Sequence, residues 1–183
     1  LHRVDRRQRQ MGIRDSGKNA TFTANSGANG GAISNAAGGT LDVQDTTFSG
    51  NTATAVGGGA FISFGTTTVE RSAILDNTAP VNGGGFNTQP GGTVTITSST
   101  IAGNTSGGLG GAMSNLGTTT VQSSTIAKNT ATSGSAIATG NTDATFAAMD
   151  ARHSTWRQHW DKWAVSTRLW VSISRQSRST SRH

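Results

Sequence analysis

The chain has 183 residues, of which 32 % are hydrophobic, 13 % are charged and 25 are glycine, and it has no cysteine. This length suits one domain or one short solenoid, and the lack of cysteine excludes a disulfide framework. The hydrophobic content is low for a globular domain. No apolar run approaches the roughly 20 residues that span a bilayer, so we expect no transmembrane segment. The net charge of +6 belongs to the two ends, because residues 19–149 carry two basic and five acidic side chains.

Residues 1–19 form a basic leader with five arginines and one lysine against two aspartates. Such an arm could bind nucleic acid or an anionic surface. It has no interleaved aromatic residues, which nucleic-acid-binding segments commonly use. We therefore predict a leader that is disordered or caps the first coil, and no specific nucleic-acid partner.

Residues 20–149 repeat one phrase, in which a large apolar residue stands three positions before an asparagine and a glycine-rich cluster follows. The asparagines recur every 25–27 residues, at Asn25, Asn51, Asn77, Asn104 and Asn129. Each unit is too short for a βαβ crossover, and segments such as 93–97 alternate with period two. The period predicts an all-β fold, a single-stranded right-handed parallel β-helix (a solenoid) of about five coils with non-repeat tails.

Alternation along the first strand of each coil assigns its two faces. We expect one buried file made of Val43, Val69, Ile96 and Val121. The outward positions then form two threonine columns, which are candidate binding faces: Thr66, Thr93 and Thr118, with Thr68, Thr95 and Thr120 beside them.

The asparagine column is interpreted as structural. Asparagine tolerates left-handed dihedral angles and bonds to nearby backbone in turns. When asparagines are stacked on their own copies, the amides can also bond along the column. A role of this amide row in sugar binding is the less favoured alternative.

Residues 150–183 form a basic, tryptophan-rich tail in which the repeat is lost. Trp156, Trp160 and Trp163 have the spacing of one helix face. Three interpretations stay open: a helix that contacts a membrane surface through residues 156–170, a cap over the open end of the solenoid, and sequence outside the native reading frame. The abrupt change of composition favours the last.

Two motifs are similar to those of a known family. Residues 22–25 and 48–51 fit the pattern F-x-x-N, and residues 30–33, 58–61 and 110–113 fit G-G-A followed by an apolar residue. Together they resemble the repeats of polymorphic outer membrane proteins, over about residues 20–146. The resemblance implies a pectate-lyase-like β-helix in a secreted or bacterial cell-surface protein, often an adhesin, and this fold also includes lyases and hydrolases.

A small group of charges gives the enzymatic alternative. The columns stack Asp45 below Arg71 and place Asp42 near Glu70. Polysaccharide lyases of this fold hold Ca²⁺ with clustered carboxylates, and glycoside hydrolases use a carboxylate pair. A Ca²⁺ site needs six or more oxygen ligands, so we interpret the group as a solvated ion pair. We assign no catalytic residue, no metal site and no cofactor, and Ca²⁺ enters only under the lyase alternative.

The sequence therefore favours a structural or adhesive role. We expect a fragment of a bacterial surface or secreted protein, located outside the cell, whose partners are carbohydrate or a host or matrix surface. Enzymatic activity is left open, and the alternative is a pectate-lyase-like polysaccharide lyase or glycoside hydrolase. A third alternative is an ice-binding threonine face, although threonine also favours exposed strands for its β-propensity alone.

Overall fold

The computed structural model describes residues 14–139 and 145–149 of the chain. This part of the chain consists of 21 short strands joined by turns, with no helix. The strands form four parallel sheets, and the chain passes through sheets A, B, C and D in that order before it enters the next coil. The predicted fold, an all-β parallel solenoid of about five coils, is confirmed.

Sheet A contains β1 (Arg14–Lys18), β5 (Thr40–Gln44), β9 (Thr66–Glu70), β13 (Thr93–Thr97), β17 (Thr118–Gln122) and β21 (Thr145–Met149). Sheet B contains β2 (Thr21–Thr23), β6 (Thr47–Ser49), β10 (Ala73–Leu75), β14 (Thr100–Ala102) and β18 (Thr125–Ala127). Sheet C contains β3 (Ser26–Gly27), β7 (Thr52–Ala53), β11 (Thr78–Ala79), β15 (Thr105–Leu109) and β19 (Thr130–Ser133). Sheet D contains β4 (Ile33–Asn35), β8 (Phe61–Ser63), β12 (Phe86–Thr88), β16 (Met113–Asn115) and β20 (Ile137–Thr139).

The predicted apolar file runs through sheet A. Val43 pairs with Val69, Val69 with Ile96, and Ile96 with Val121, and none of the four is more than 5 % exposed. Every other residue of these strands faces outward, as the alternation of side chains along a strand requires. The prediction of a single buried file is confirmed, and the period of the repeat is therefore the period of the coil.

Aromatic residues stack along the same core. The rings of Phe22 and Phe48 lie 4.8 Å apart, and those of Phe61 and Phe86 lie 5.0 Å apart, both nearly parallel. Such pairs add about 0.5–1.5 kcal/mol beyond the area that they bury. The remaining core positions hold aliphatic and methionine side chains from sheets A, B and D, among them Leu41, Ile74, Val94, Ile101 and Met113.

The glycine clusters let the backbone of one coil approach the next. A Cβ added to Gly59 would overlap the carbonyl oxygen of Gly84, and one added to Gly84 would overlap that of Gly111. Here the absence of a side chain matters more than left-handed dihedral angles, because neither Gly59 nor Gly84 has a positive φ.

The solenoid begins before the repeats become visible in the sequence. Strand β1 covers residues that the sequence boundary at residue 20 left in the leader, and it pairs with β5 over its whole length. Parallel pairing uses backbone groups, and the sequence Arg-Asp-Ser-Gly-Lys has no apolar alternation that could indicate a strand.

Coil length varies on one side of the solenoid only. The distance from the first residue of a sheet A strand to the corner asparagine is 11 residues in all five coils that have one. The distance from that asparagine to the next sheet A strand is 14–16 residues. Sheets A and B therefore have a fixed length, and the segments that form sheets C and D contain all of the variation in the period.

Candidate binding faces and corner ladders

The corner asparagines form one hydrogen-bonded ladder between sheets B and C. At each of the four steps, the backbone N–H and the Nδ2 of one asparagine donate to Oδ1 of the asparagine one coil further, at 2.9–3.0 Å. From Asn51 onward, Nδ2 also donates to a carbonyl oxygen of the preceding coil, such as that of Phe48 for Asn77. Asn51, Asn77 and Asn104 are fully buried. Their amides satisfy backbone groups that the corner removes from the sheets.

Each ladder asparagine follows a residue in the left-handed conformation, with a positive φ. Gly50 and Gly103 occupy this position in two coils, with φ of 61° and 69°. Ala24, Asp76 and Lys128 occupy it in the other three, with φ of 52–55°. The left-handed residue turns the chain, and the asparagine then restores its hydrogen bonds.

A second ladder, built from hydroxyl groups, lies between sheets A and B. The backbone N–H of Thr46 donates to Ser72 Oγ, that of Ser72 to Ser99 Oγ, and that of Ser99 to Ser124 Oγ, at 3.0–3.1 Å. Each hydroxyl donates to the carbonyl oxygen two residues earlier, at 2.7–2.8 Å. Sequence reasoning missed this ladder. Its signal is a serine or threonine five residues before each of the last four corner asparagines.

Polar side chains also bond to one another inside the solenoid, where sheet D turns into sheet A. Thr67 and Thr119 take inward positions and are fully buried. The Thr67 hydroxyl lies 2.9 Å from the Ser63 hydroxyl, and the Thr119 hydroxyl lies 2.8 Å from that of Thr88. Asn35 donates to Thr67 from the preceding coil. These bonds allow threonine where the other coils have Leu41 and Val94.

One buried amide has no such partners. Asn87 is fully buried in β12, in register with Ile62 of the preceding coil and Ser114 of the next. Neither Nδ2 nor Oδ1 of Asn87 has a hydrogen-bond partner. A buried amide without partners destabilises a fold, so this position carries an unfavourable residue.

The predicted threonine columns lie on the outer face of sheet A. Thr66, Thr93 and Thr118 are in register, as are Thr68, Thr95 and Thr120. All six are exposed or half-buried. Hydroxyl groups therefore repeat roughly every 4.8 Å across the coils and roughly every 6.6 Å along each strand. Such an array presents hydrogen-bond donors and acceptors at regular spacings.

The charged group predicted beside these columns is an exposed ion pair. Arg71 donates from Nε and Nη2 to the two carboxylate oxygens of Asp45, at 2.8 and 2.9 Å, and also contacts the Glu70 carboxylate. The hydrogen bonds from Arg71 hold the pKa of Asp45 below its ordinary value. Asp42 lies opposite Thr68, and its carboxylate accepts a hydrogen bond from Gln44 at 3.4 Å. Within residues 14–139 and 145–149, no three histidine, aspartate or glutamate side chains come together in a way that could hold a metal ion.

Sheet C has an outward hydroxyl column of its own, which sequence reasoning missed. It is exposed in all five coils and consists of Ser26, Thr52, Thr78, Thr105 and Thr130. Exposed apolar residues lie just beyond it in three successive coils, at Val56, Val81 and Leu109.

A shallow depression of about 220 Å³ lies between two neighbouring turns from sheet D to sheet A, lined by residues 90–93 and 116–118.

Some predictions concern parts of the chain outside the described residues, namely most of the basic leader and the tail with its segment 156–170. Among the residues that the structure does describe, none belongs to a helix with the length and hydropathy that crossing a bilayer requires. Comparison with family models, with curated proteins and with solved structures gives no match to this chain.

Proposed function

We propose that this chain is part of a secreted or surface-displayed bacterial β-helix protein, of the polymorphic outer membrane protein and pectate-lyase-like type, with a structural and adhesive role. Its partners are carbohydrate or host or matrix surfaces. One observation supports this function: outward side chains stand in register from coil to coil over a continuous buried core. Groups that repeat on a rigid support can combine weak contacts into useful avidity.

The test is binding without turnover. The intact chain is applied to glycan arrays, to matrix proteins and to insoluble polysaccharides, and both the bound fraction and any released product are measured. Retention with unchanged polymer supports the adhesive role, and failure to bind any of these surfaces contradicts it.

The same assay distinguishes the enzymatic alternative from the adhesive role. A lyase releases unsaturated uronate products that absorb ultraviolet light, and this signal would disappear with Asp45→Ala or with a chelator. Asp76→Ala is the matched control, because Asp76 is an exposed aspartate at the other corner of the coil. Product formation that survives Asp76→Ala and is lost with Asp45→Ala would replace adhesion by catalysis.

Ice binding is the second candidate, and the paired threonines of sheet A support it. They form two rows over three consecutive coils on one exposed face. The measurement is thermal hysteresis of the intact chain. Under this function Thr95→Tyr abolishes hysteresis, because the ring breaks the row, whereas Thr105→Tyr on sheet C leaves it unchanged. Absence of hysteresis in the unmodified chain rules the candidate out.

A further inference from the structure

Charge is distributed unevenly around the coil. Between residues 18 and 139, every charged side chain lies on a sheet A strand or at one of the two corners that flank sheet B. These residues are Lys18, Asp42, Asp45, Glu70, Arg71, Asp76 and Lys128. The described stretches that run from each corner asparagine through sheets C and D contain no charged residue and no histidine: 25–39, 51–65, 77–92, 104–117 and 129–139. Asp143 follows the last of these stretches in the sequence and lies outside the described residues. We call the side formed by these stretches the C–D side.

Within residues 18–139, the C–D side also holds all of the large exposed apolar residues. Val56 is 45 % exposed, Val81 42 %, Leu109 38 % and Phe64 37 %. Val56 and Val81 occupy the segment between sheets C and D, and Leu109 ends the sheet C strand of the next coil, so all three lie next to the hydroxyl column of sheet C. Hydroxyl groups and apolar groups therefore run side by side along the rod axis.

We infer that the C–D side is a contact surface for an uncharged polysaccharide. This inference rests on the proposed adhesive function and names its partner class. A surface without lysine or arginine offers no counter-charge to an acidic polymer, and one without carboxylates offers none to a basic protein. Its dehydration requires no charge to leave water, which is the costly part of most polar contacts.

The chemistry of the side chains fits a neutral sugar polymer. Threonine hydroxyls both donate and accept hydrogen bonds, as sugar hydroxyls do. Exposed valine and leucine side chains can make dispersion contacts with the C–H groups of sugar rings. The sheet C hydroxyls repeat roughly every 4.8 Å, so a chain that lies along the rod meets equivalent groups in all five coils.

A second copy of this chain is a less suitable partner for the C–D side than a neutral polysaccharide. Four side chains that are each about two-fifths exposed present apolar area on the order of 300 Å², the size of an ordinary surface patch. A stable protein complex buries roughly 800 Å² on each partner. Self-association is therefore an outcome of the test and not the proposal.

The experiment compares two faces of the same coil. Thr78→Lys places a charge on the C–D side, and Thr66→Lys places the same charge on sheet A. Both threonines are exposed and both begin a strand. Val81→Asp is an independent second variant on the C–D side. Circular dichroism and thermal unfolding check that each variant folds. Thr78→Lys and Val81→Asp alter different residues, so if one of them does not fold, the other still tests the C–D side.

Binding of the full chain is measured on insoluble cellulose and chitin as neutral polymers and on polygalacturonate as an acidic one, at low and high salt. The expected result is binding to a neutral polymer with little dependence on salt. Thr78→Lys and Val81→Asp weaken it by about tenfold or more, because an unpaired charge is dehydrated, and Thr66→Lys changes it less than about twofold.

Several results would overturn the inference. Preference for polygalacturonate, or binding that high salt abolishes, contradicts an uncharged partner. A larger effect of Thr66→Lys than of Thr78→Lys moves the contact to sheet A and leaves the adhesive function intact. A loss of dimer with Val81→Asp, at unchanged polysaccharide binding, makes the C–D side a self-contact. If the unmodified chain binds no glycan, host or matrix surface, the adhesive function fails as well.

Discussion

The two ladders turn the chain in the same way and connect the coils differently. At both corners a residue with positive φ comes first, and a polar residue that accepts a backbone N–H from the preceding coil comes second. The amide of Asn77 bonds to Asn51 and Phe48 of the preceding coil and to Asn104 of the next. The hydroxyl of Ser72 accepts from Thr46 of the preceding coil and donates within its own. The asparagine side chain therefore links three coils and the serine hydroxyl links two, so the corner between sheets B and C should contribute more to stability.

Removal of the central amide should have the largest effect. Asn77→Ala deletes the bonds that Nδ2 donates to Asn104 Oδ1 and to the Phe48 carbonyl oxygen, and it leaves the buried N–H and Nδ2 of Asn51 without their acceptor. We expect a loss of roughly 3–5 kcal/mol in the free energy of unfolding, measured by chemical denaturation of the full chain. The control is Asn25→Ala at the exposed end of the ladder, which should cost less than about 1 kcal/mol. Equal losses at the two positions would contradict a ladder that is strongest where it is buried.

Asn87 is a buried amide that belongs to no ladder. Asn87→Leu replaces it by an apolar group of similar shape, as in the preceding coil, where Ile62 occupies the position. We expect stability to rise by about 2 kcal/mol, because the unpaired amide no longer has to leave water. Thermal unfolding measures the gain. A loss of stability would mean that Asn87 has hydrogen-bond partners in solution.

The hydroxyl ladder should respond less than the amide ladder. Ser72→Ala leaves the buried N–H of Thr46 without its acceptor and removes one bond to Glu70. The expected loss is about 1.5 kcal/mol, measured by the same denaturation. Ser72→Thr keeps the hydroxyl, as Thr46 does one coil earlier, and should restore most of it. An effect as large as that of Asn77→Ala would make the two corners equivalent.

The smallest effect concerns the residue that precedes the ladder. Lys128 has φ of 55° and occupies the position that Gly50 and Gly103 hold in other coils. Lys128→Gly relieves the strain of a side chain in the left-handed region and should stabilise the fold by up to about 1 kcal/mol. Lys128→Ala removes the charge without relieving the backbone and serves as the control. If both variants behave alike, backbone strain is not the cause.

The sequence allowed some of these features to be predicted and hid others. Asn77 and Ile74 stand out because large apolar residues and asparagines recur at one spacing, and such columns are what a stacked fold requires. Ser72 did not stand out, because serine and threonine fill both surface and corner positions and only hydrogen bonding distinguishes them.

Sequence patterns predicted the residues on the outer faces less completely than those of the core. The sheet A columns could be predicted because five-residue strands show alternation, whereas Thr78 begins a strand of two residues that shows none. Asp45 and Arg71 were correctly stacked, since their corner has a fixed length. The lack of charged residues in sheets C and D indicates an uncharged surface only once the order of the sheets in the coil places these stretches on one side.

The constant spacing of 11 residues from each sheet A strand to its asparagine has a consequence for how such a rod can change. One residue added between Thr93 and Ser99 would move both Ser99 and Asn104 out of register with their ladder partners in the neighbouring coils. A peptide inserted at the exposed turn of Pro90 and Gly91 would project outward as a loop and leave both ladders in register. Insertions, whether natural or engineered, can therefore add one loop per coil in the segments of sheets C and D without altering sheets A and B.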